Sequence, residues 1–122
     1  MANDVLVLSY AGCSTCKKAL AWLAARGVAH TVRPIVDAPP TSKELAAWIP
    51  KSGLDVKKWL NTSGQSYRAI DKDRLAKATP KDLVEWLTKD GKLVKRPVLV
   101  AGDQVLVGFK EEAYEALFPK RR

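Results

Sequence analysis

Residues 5–27, VLVLSYAGCSTCKKALAWLAARG, decide how this chain folds. Val5 to Ser9 is rich in valine and leucine and reads as a short buried strand, which Tyr10-Ala11-Gly12 stops. From about Ser14 to Arg26 the residues are good helix formers. Cys16, Leu20 and Leu23 recur at the spacing of one helical face, and Gly27 stands where such a helix ends.

A strand that turns straight into a helix leaves Cys13 just ahead of the first turn. The unpaired N–H groups and the positive end of the helix dipole there favour thiolate over thiol. Cys16 follows one turn later on the inward face. Residues three apart on a helix have Cα atoms about 5 Å apart, inside the roughly 4.4–6.8 Å that a disulfide spans. The pair can therefore close and reopen with little movement of the backbone. Lys17 and Lys18 oppose the dipole at this end of a helix but favour a nearby thiolate; the plainer reading is that both point to solvent.

These are the only two cysteines in 122 residues. A structural zinc takes four ligands, and beyond the cysteines the only soft donor is His30. His30 lies at the far end of the helix from Cys13 and reads as a surface or strand-edge residue, so no metal site is expected. A disulfide between such close neighbours restrains the unfolded chain little. A chain of this length also buries a core without one. In a reducing compartment, paired cysteines are more often redox-active, sensing or metal-binding than structural.

Met1-Ala2-Asn3-Asp4 has no basic region, and Val5–Leu8 is too short for a signal segment or a membrane span. A soluble cytoplasmic protein without a membrane partner is expected. Twenty-one Lys and Arg against thirteen Asp and Glu give a formal net charge of +8, which favours anionic partners. The charge is diffuse. Its longest run is Lys120-Arg121-Arg122, and no aromatic-basic alternation offers a stacking platform for single strands. A solvated basic surface, rather than direct nucleic-acid binding, is the expectation.

His30 to Val36 has the β-branched content of a second strand, which would lie parallel to the first in a right-handed βαβ unit. Pro39-Pro40 ends it. Thr41-Ser42-Lys43-Glu44 is a capping box opening a helix that buries Leu45, Trp48 and Ile49, with Pro50 and Gly53 interrupting. A short helix over Asp55–Leu60 and another over Gln65–Asp71 flank the loop or cap cluster Asn61-Thr62-Ser63-Gly64. Thr79-Pro80 opens a helix with Leu83, Trp86 and Leu87 inside. Pro97–Val100 and Gln104–Val107 read as a β-hairpin turning at Ala101-Gly102-Asp103, and a last helix covers about Lys110 to Leu117. The four tryptophans fall in predicted helices, and most read as core. Trp59, just before the Asn61 loop, is the one set aside for stacking on a substrate.

A strand, a CxxC opening a helix, and a distant basic residue with proline starting a hairpin resemble the thioredoxin-like fold. More specifically, the chain resembles the ArsC/Spx family of arsenate-reductase-related proteins. The segments that carry this are YAGCSTCKKALAWL (10–23), APPTSKEL (38–45), WLNTSGQSYR (59–68), KRPVLV (95–100) and VGFKEEAYEALF (107–118). The resemblance implies a single α/β domain over 1–122 with a small mixed four-stranded sheet, βαβ plus ββα. Its thioredoxin-like halves would cover about 4–36 and 95–118, with a helical insert over about 41–90.

It also implies a cis bond before Pro97, beside the reactive thiol, and an Arg96 that faces Cys13. A guanidinium there can grip an oxyanion or hold a thiolate through planar hydrogen bonds. Arsenate reductases of the family use three arginines around the anion, and only Arg96 is matched here. Lys110 and Arg68 are the candidates to add charge, and Asn61 to help seat an anion at a helix N-terminus or simply to cap it.

The implied activity is thiol-dependent reduction of a disulfide or oxyanion, with Cys13, Cys16 and Arg96 catalytic. Lys17, Asn61, Arg68, Pro97 and Lys110 would bind a small anionic substrate. No bound cofactor is implied, and glutathione or thioredoxin would be the reductant and partner. The alternative is an Spx-like redox-sensing regulator that binds RNA polymerase, although the chain ends soon after LFPKRR, short of that branch's longer C-terminal extension.

Overall fold

Strand β1 (Val5–Ser9) is apolar along nearly its whole length because protein covers both faces of the sheet it centres. The computed structural model describes residues 5–119. The Met1-Ala2-Asn3-Asp4 segment and the Lys120-Arg121-Arg122 run lie outside those residues. Val5 and Val7 belong to a cluster with Ala19, Leu23, Leu99 and Tyr114, whereas Leu6 and Leu8 pack with Leu45, Trp59, Leu83 and Leu87. Alternation along one strand thus feeds two cores.

The sheet order is β2-β1-β3-β4, with β2 at Thr31–Pro34, β3 at Val98–Ala101 and β4 at Gln104–Val107. β1 runs parallel to β2 and antiparallel to β3, and β3 is antiparallel to β4, so Val7 sits between Val32 and Leu99. α1 (Ser14–Arg26) makes the crossover and α6 (Glu111–Leu117) follows the hairpin. Arg26 ties these helices together: it donates to the Phe118 carbonyl at 2.8 Å, pairs with Glu115 at 2.8 Å and lies 4.4 Å from the centroid of the Trp22 ring. This is the thioredoxin-like α/β arrangement, βαβ then ββα around a mixed four-stranded sheet.

Between β2 and β3 the chain runs through α2 (Ser42–Ser52), a 3-10 turn (Val56–Trp59), α3 (Gln65–Arg68), α4 (Lys72–Lys77), α5 (Pro80–Lys89) and a second 3-10 turn (Gly91–Leu93). Thr41 and Thr79 open α2 and α5 with capping boxes closed by Glu44 and Asp82. Pro50 does not interrupt α2 but sits in its exposed last turn, and the helix ends at Gly53 with φ of 71°.

Four other expectations change. The helix read over Gln65–Asp71 stops at Arg68, because the Asp71 carboxylate accepts the Asp73 N–H at 3.3 Å and starts the separate α4. β2 ends at Pro34 rather than Val36, since the Ala38 N–H closes a turn on the Pro34 carbonyl at 2.9 Å. Trp59 is fully buried and its indole N–H donates to Ser52 Oγ at 3.1 Å, so its ring fills core and is not open for stacking. Trp86 is only half-buried, with the Arg74 guanidinium 4.6 Å from its centroid.

Candidate active site

The turn after β1 is closed by the Cys13 N–H donating to the Tyr10 carbonyl at 3.0 Å, which delivers Cys13 to the N-cap of α1. Its Sγ takes the place of the oxygen that caps most helices: it accepts the Cys16 N–H at 3.3 Å, while its carbonyl accepts the Lys17 N–H at 3.1 Å. Cys13 is partly exposed and Cys16 is 1% exposed, and both are free thiols.

Burial pushes the Cys13 thiol up, but hydrogen bonds from the Cys16 thiol and N–H, together with the Arg96 guanidinium, outweigh it and hold Cys13 below the ordinary thiol range. Burial pushes Cys16 up. The hydrogen bond to Cys13 adds to that, the Tyr10 backbone and the Ser9 side chain oppose it, and the Cys13 charge adds the least. The two sulfurs are therefore unlike: one accessible and inclined to ionise, the other buried and inclined to keep its proton.

Arg96 reaches this pair from the segment entering β3. Its Nη1 donates to the Lys92 carbonyl at 3.1 Å and its guanidinium lies 4.9 Å from the Tyr10 ring centroid. Its buried Nε has no hydrogen-bond partner among the described residues. The Arg96–Pro97 peptide is cis, as the resemblance implies, and the buried Pro97 carbonyl accepts the Gly108 N–H at 2.8 Å.

Asn61 meets Arg96 at a shared acceptor, since its Nδ2 also donates to the Lys92 carbonyl, at 3.4 Å. It does not cap a helix: Gly64 holds the cap position of α3 without a side-chain bond, and the Asn61 N–H pairs with the Leu93 carbonyl at 2.7 Å. The structure thus brings Cys13, Cys16 and Arg96 together, with Pro97 next to Arg96 across the cis bond and Asn61 sharing its carbonyl acceptor. Lys17 and Arg68 are exposed, and neither side chain makes a hydrogen bond or ion pair among the described residues. Lys110 lines a separate small cavity with Ser52, Leu54 and Tyr114.

Sequence reasoning passed over Tyr10 and Ser9. Tyr10 supplies both the carbonyl that turns the chain and the ring under Arg96. A Cβ at Gly12 would come within 3.1 Å of that ring, so the small residue between Tyr10 and Cys13 was the available signal. His30 holds the Val28 carbonyl through Nδ1 at 2.8 Å. Among the described residues no three His, Cys, Asp or Glu side chains gather as metal ligands, and no helix is long and apolar enough to cross a membrane.

The sequence pattern of the ArsC family matches residues 8–117, and the chain belongs to that family. It is 43% identical over 107 residues to the uncharacterized protein YusI of Bacillus subtilis (strain 168), covering 87% of this chain and 91% of YusI. It is 26% identical over 110 residues to the global transcriptional regulator Spx 1 of Lactococcus lactis subsp. lactis (strain IL1403), covering 88% of this chain and 84% of that protein. The crystal structure of an ArsC family related protein from Bacteroides fragilis superposes with a TM-score of 0.88 at 48% identity, covering 93% of this chain and 96% of that one.

Proposed function

We propose that this protein is a small cytoplasmic thiol-dependent reductase of the arsenate-reductase-like kind. The observation that carries this reading is the asymmetry of the pair: an N-capping, partly exposed Cys13 held below the ordinary thiol range, one turn from a buried Cys16 held above it. That is the division of labour between an attacking and a resolving thiol.

With a mixed disulfide as substrate, the Cys13 thiolate attacks one sulfur and displaces the other as a thiolate. Cys16 then gives up its proton to the departing group and attacks Cys13 Sγ, releasing the second thiol and leaving a Cys13–Cys16 disulfide. The substrate gains two electrons and the protein loses two, which glutathione or thioredoxin returns by thiol exchange. With an oxyanion such as arsenate, Cys13 displaces an oxygen as water, and attack by Cys16 on the sulfur leaves the central atom reduced by two electrons. The guanidinium of Arg96, which lowers the Cys13 pKa from beside it, would stabilise the charge that builds in either case. Asn61 helps fix the carbonyl on which that guanidinium rests. Lys17, Arg68 and Lys110 would act on a small anionic substrate only as more distant charges.

The test is NADPH consumption coupled through glutathione and, separately, through thioredoxin, offering arsenate and a small mixed disulfide to the wild type and to Cys13→Ser. Turnover that disappears in the variant supports the reading and names the donor; full turnover in Cys13→Ser defeats it. The similarity to Spx 1 favours a second reading, in which the same pair is a redox switch on a protein that binds RNA polymerase. Absence of polymerase binding in both redox states would remove it.

A further inference from the structure

A cavity of about 630 Å³ opens among the helices between β2 and β3. Leu60, Thr62 and Lys95 line it, whereas the interleaved Asn61 and Arg96 meet at the Lys92 carbonyl. Side chains alternate along the extended pairing of Leu60 with Val94, so one backbone ladder serves two places. Neither cysteine, nor Arg96, nor Asn61 lines this cavity.

Its charge is of one sign. Lys57, Lys58, Lys72 and Lys95 line it, all exposed, and no acidic side chain does. Among the described residues the ion pairs are Arg26–Glu115, Arg33–Glu44 and Lys51–Asp103, so these four lysines have no carboxylate partner there. Like charges around a concavity repel one another and focus a positive potential that an anion relieves. The rest of the lining is mainly apolar: Leu60, Leu75, Ala76 and Leu83, with the half-buried ring of Tyr67.

The volume falls in the range of about 300–1,000 Å³ typical of small-molecule sites. The charged side chains offer only donors, as ammonium groups, so the ligand's own polar end must be made of acceptors. Ammonium groups act on phosphate as point charges and lack the planar fork that selects a carboxylate. We propose that this cavity is a second binding site, separate from the thiols, for a small molecule that joins a polyphosphate to a flat apolar ring, as a nucleoside triphosphate does.

The test is calorimetric titration of the reduced full chain with ATP, with tripolyphosphate and with adenosine, alongside amide NMR shift mapping. The expected result is one ATP per chain, with tripolyphosphate and adenosine each weaker. Shifts should centre on Thr62, Tyr67 and Leu75, and the melting temperature should rise with ATP concentration. A Lys57→Gln, Lys72→Gln double variant with an unchanged circular dichroism spectrum should bind about tenfold more weakly, the loss of two exposed charge contacts. Cys13→Ser should bind ATP like the wild type, so this outcome is independent of any reductase activity. Tripolyphosphate binding as tightly as ATP, shifts centred on Cys13 and Arg96, shifts scattered over the surface, or no saturable binding at millimolar ATP would each overturn the proposal.

Discussion

The Cys16 N–H donates to Cys13 Sγ at 3.3 Å, so the two cysteines are joined through a helix cap while both remain free thiols. The sulfur that caps α1 is also the one within reach of Arg96. Reactivity and local fold stability therefore share a single atom.

Cys13 alkylation by iodoacetamide should follow thiolate formation. Because burial is outweighed by hydrogen bonds from Cys16 and Arg96, which lower its pKa from the ordinary thiol value, the rate should reach half its plateau at a lower pH than for a free cysteine. Arg96→Gln removes a donor that favours the charged form, so the midpoint should move up. Arg96→Lys keeps the charge without the fork and should fall between. An unchanged midpoint in Arg96→Gln would separate Arg96 from the thiol.

Cys16→Ser should leave the first attack intact and remove the resolving sulfur. Treated with a small mixed disulfide, it should accumulate one adduct on Cys13, visible by intact-mass spectrometry, while the wild type passes on to the internal disulfide. Adduct on the wild type that never resolves would count against Cys16 in that role.

Arg33 grips Glu44 with two hydrogen bonds at 2.8 and 2.9 Å, and Glu44 also closes the capping box of α2. The Arg33 hydrogen bonds, against partial burial and helped by Thr41, hold the Glu44 carboxyl below its ordinary value. A carboxylate depressed in the folded state contributes stability in full above its unfolded pKa and loses it as pH falls through the folded pKa. Glu44→Gln should thus cost about 1–2 kcal/mol near neutral pH, and the gap to wild type should close in acid. Urea unfolding at a series of pH values measures it, and a gap constant with pH would contradict the pairing.

Gly91 is buried against the turn after β2. A Cβ there would overlap the Ile35 carbonyl oxygen and come within 2.9 Å of Val36 Cα, with backbone that cannot swing aside. Gly91→Ala should destabilise by about 3 kcal/mol, at the upper end of overpacking costs. Gly12→Ala, whose Cβ meets only the tip of the Tyr10 ring at 3.1 Å, should cost less thermally yet disturb the ring under Arg96. Equal melting temperatures for the two variants would refute this ranking.

The elements that read correctly from sequence carry their cause within a few residues. The Thr41–Glu44 capping box, the Thr79-Pro80 helix start, Cys13 just ahead of α1 and the turn at Gly102 are local patterns, and each appears where the pattern stands. The misread ones depend on contacts or choices that local pattern leaves open. Asp71 begins a new helix instead of ending the old one, and Asn61 joins a ladder with Leu93 thirty-two residues on rather than capping α3.

By itself, then, the sequence determined the strand-to-helix turn with both thiols in place, the order of strands and helices along the chain, and the family resemblance. These follow from periodicity, capping and turn chemistry, which act over a turn or two of backbone. The sequence also pointed to Cys13 as the thiol inclined to ionise and, through the resemblance, to Arg96 as the residue facing it; only the tertiary structure supplied the burial and the contacts that set the two thiols apart. It set Arg96 over Tyr10 and beside Cys13, left Lys17 and Arg68 exposed, and enclosed Trp59 in the core. The helix end that favours a thiolate at Cys13 is local and legible, but burial and the charges brought together across the fold have no signature in the spacing of residues along the chain.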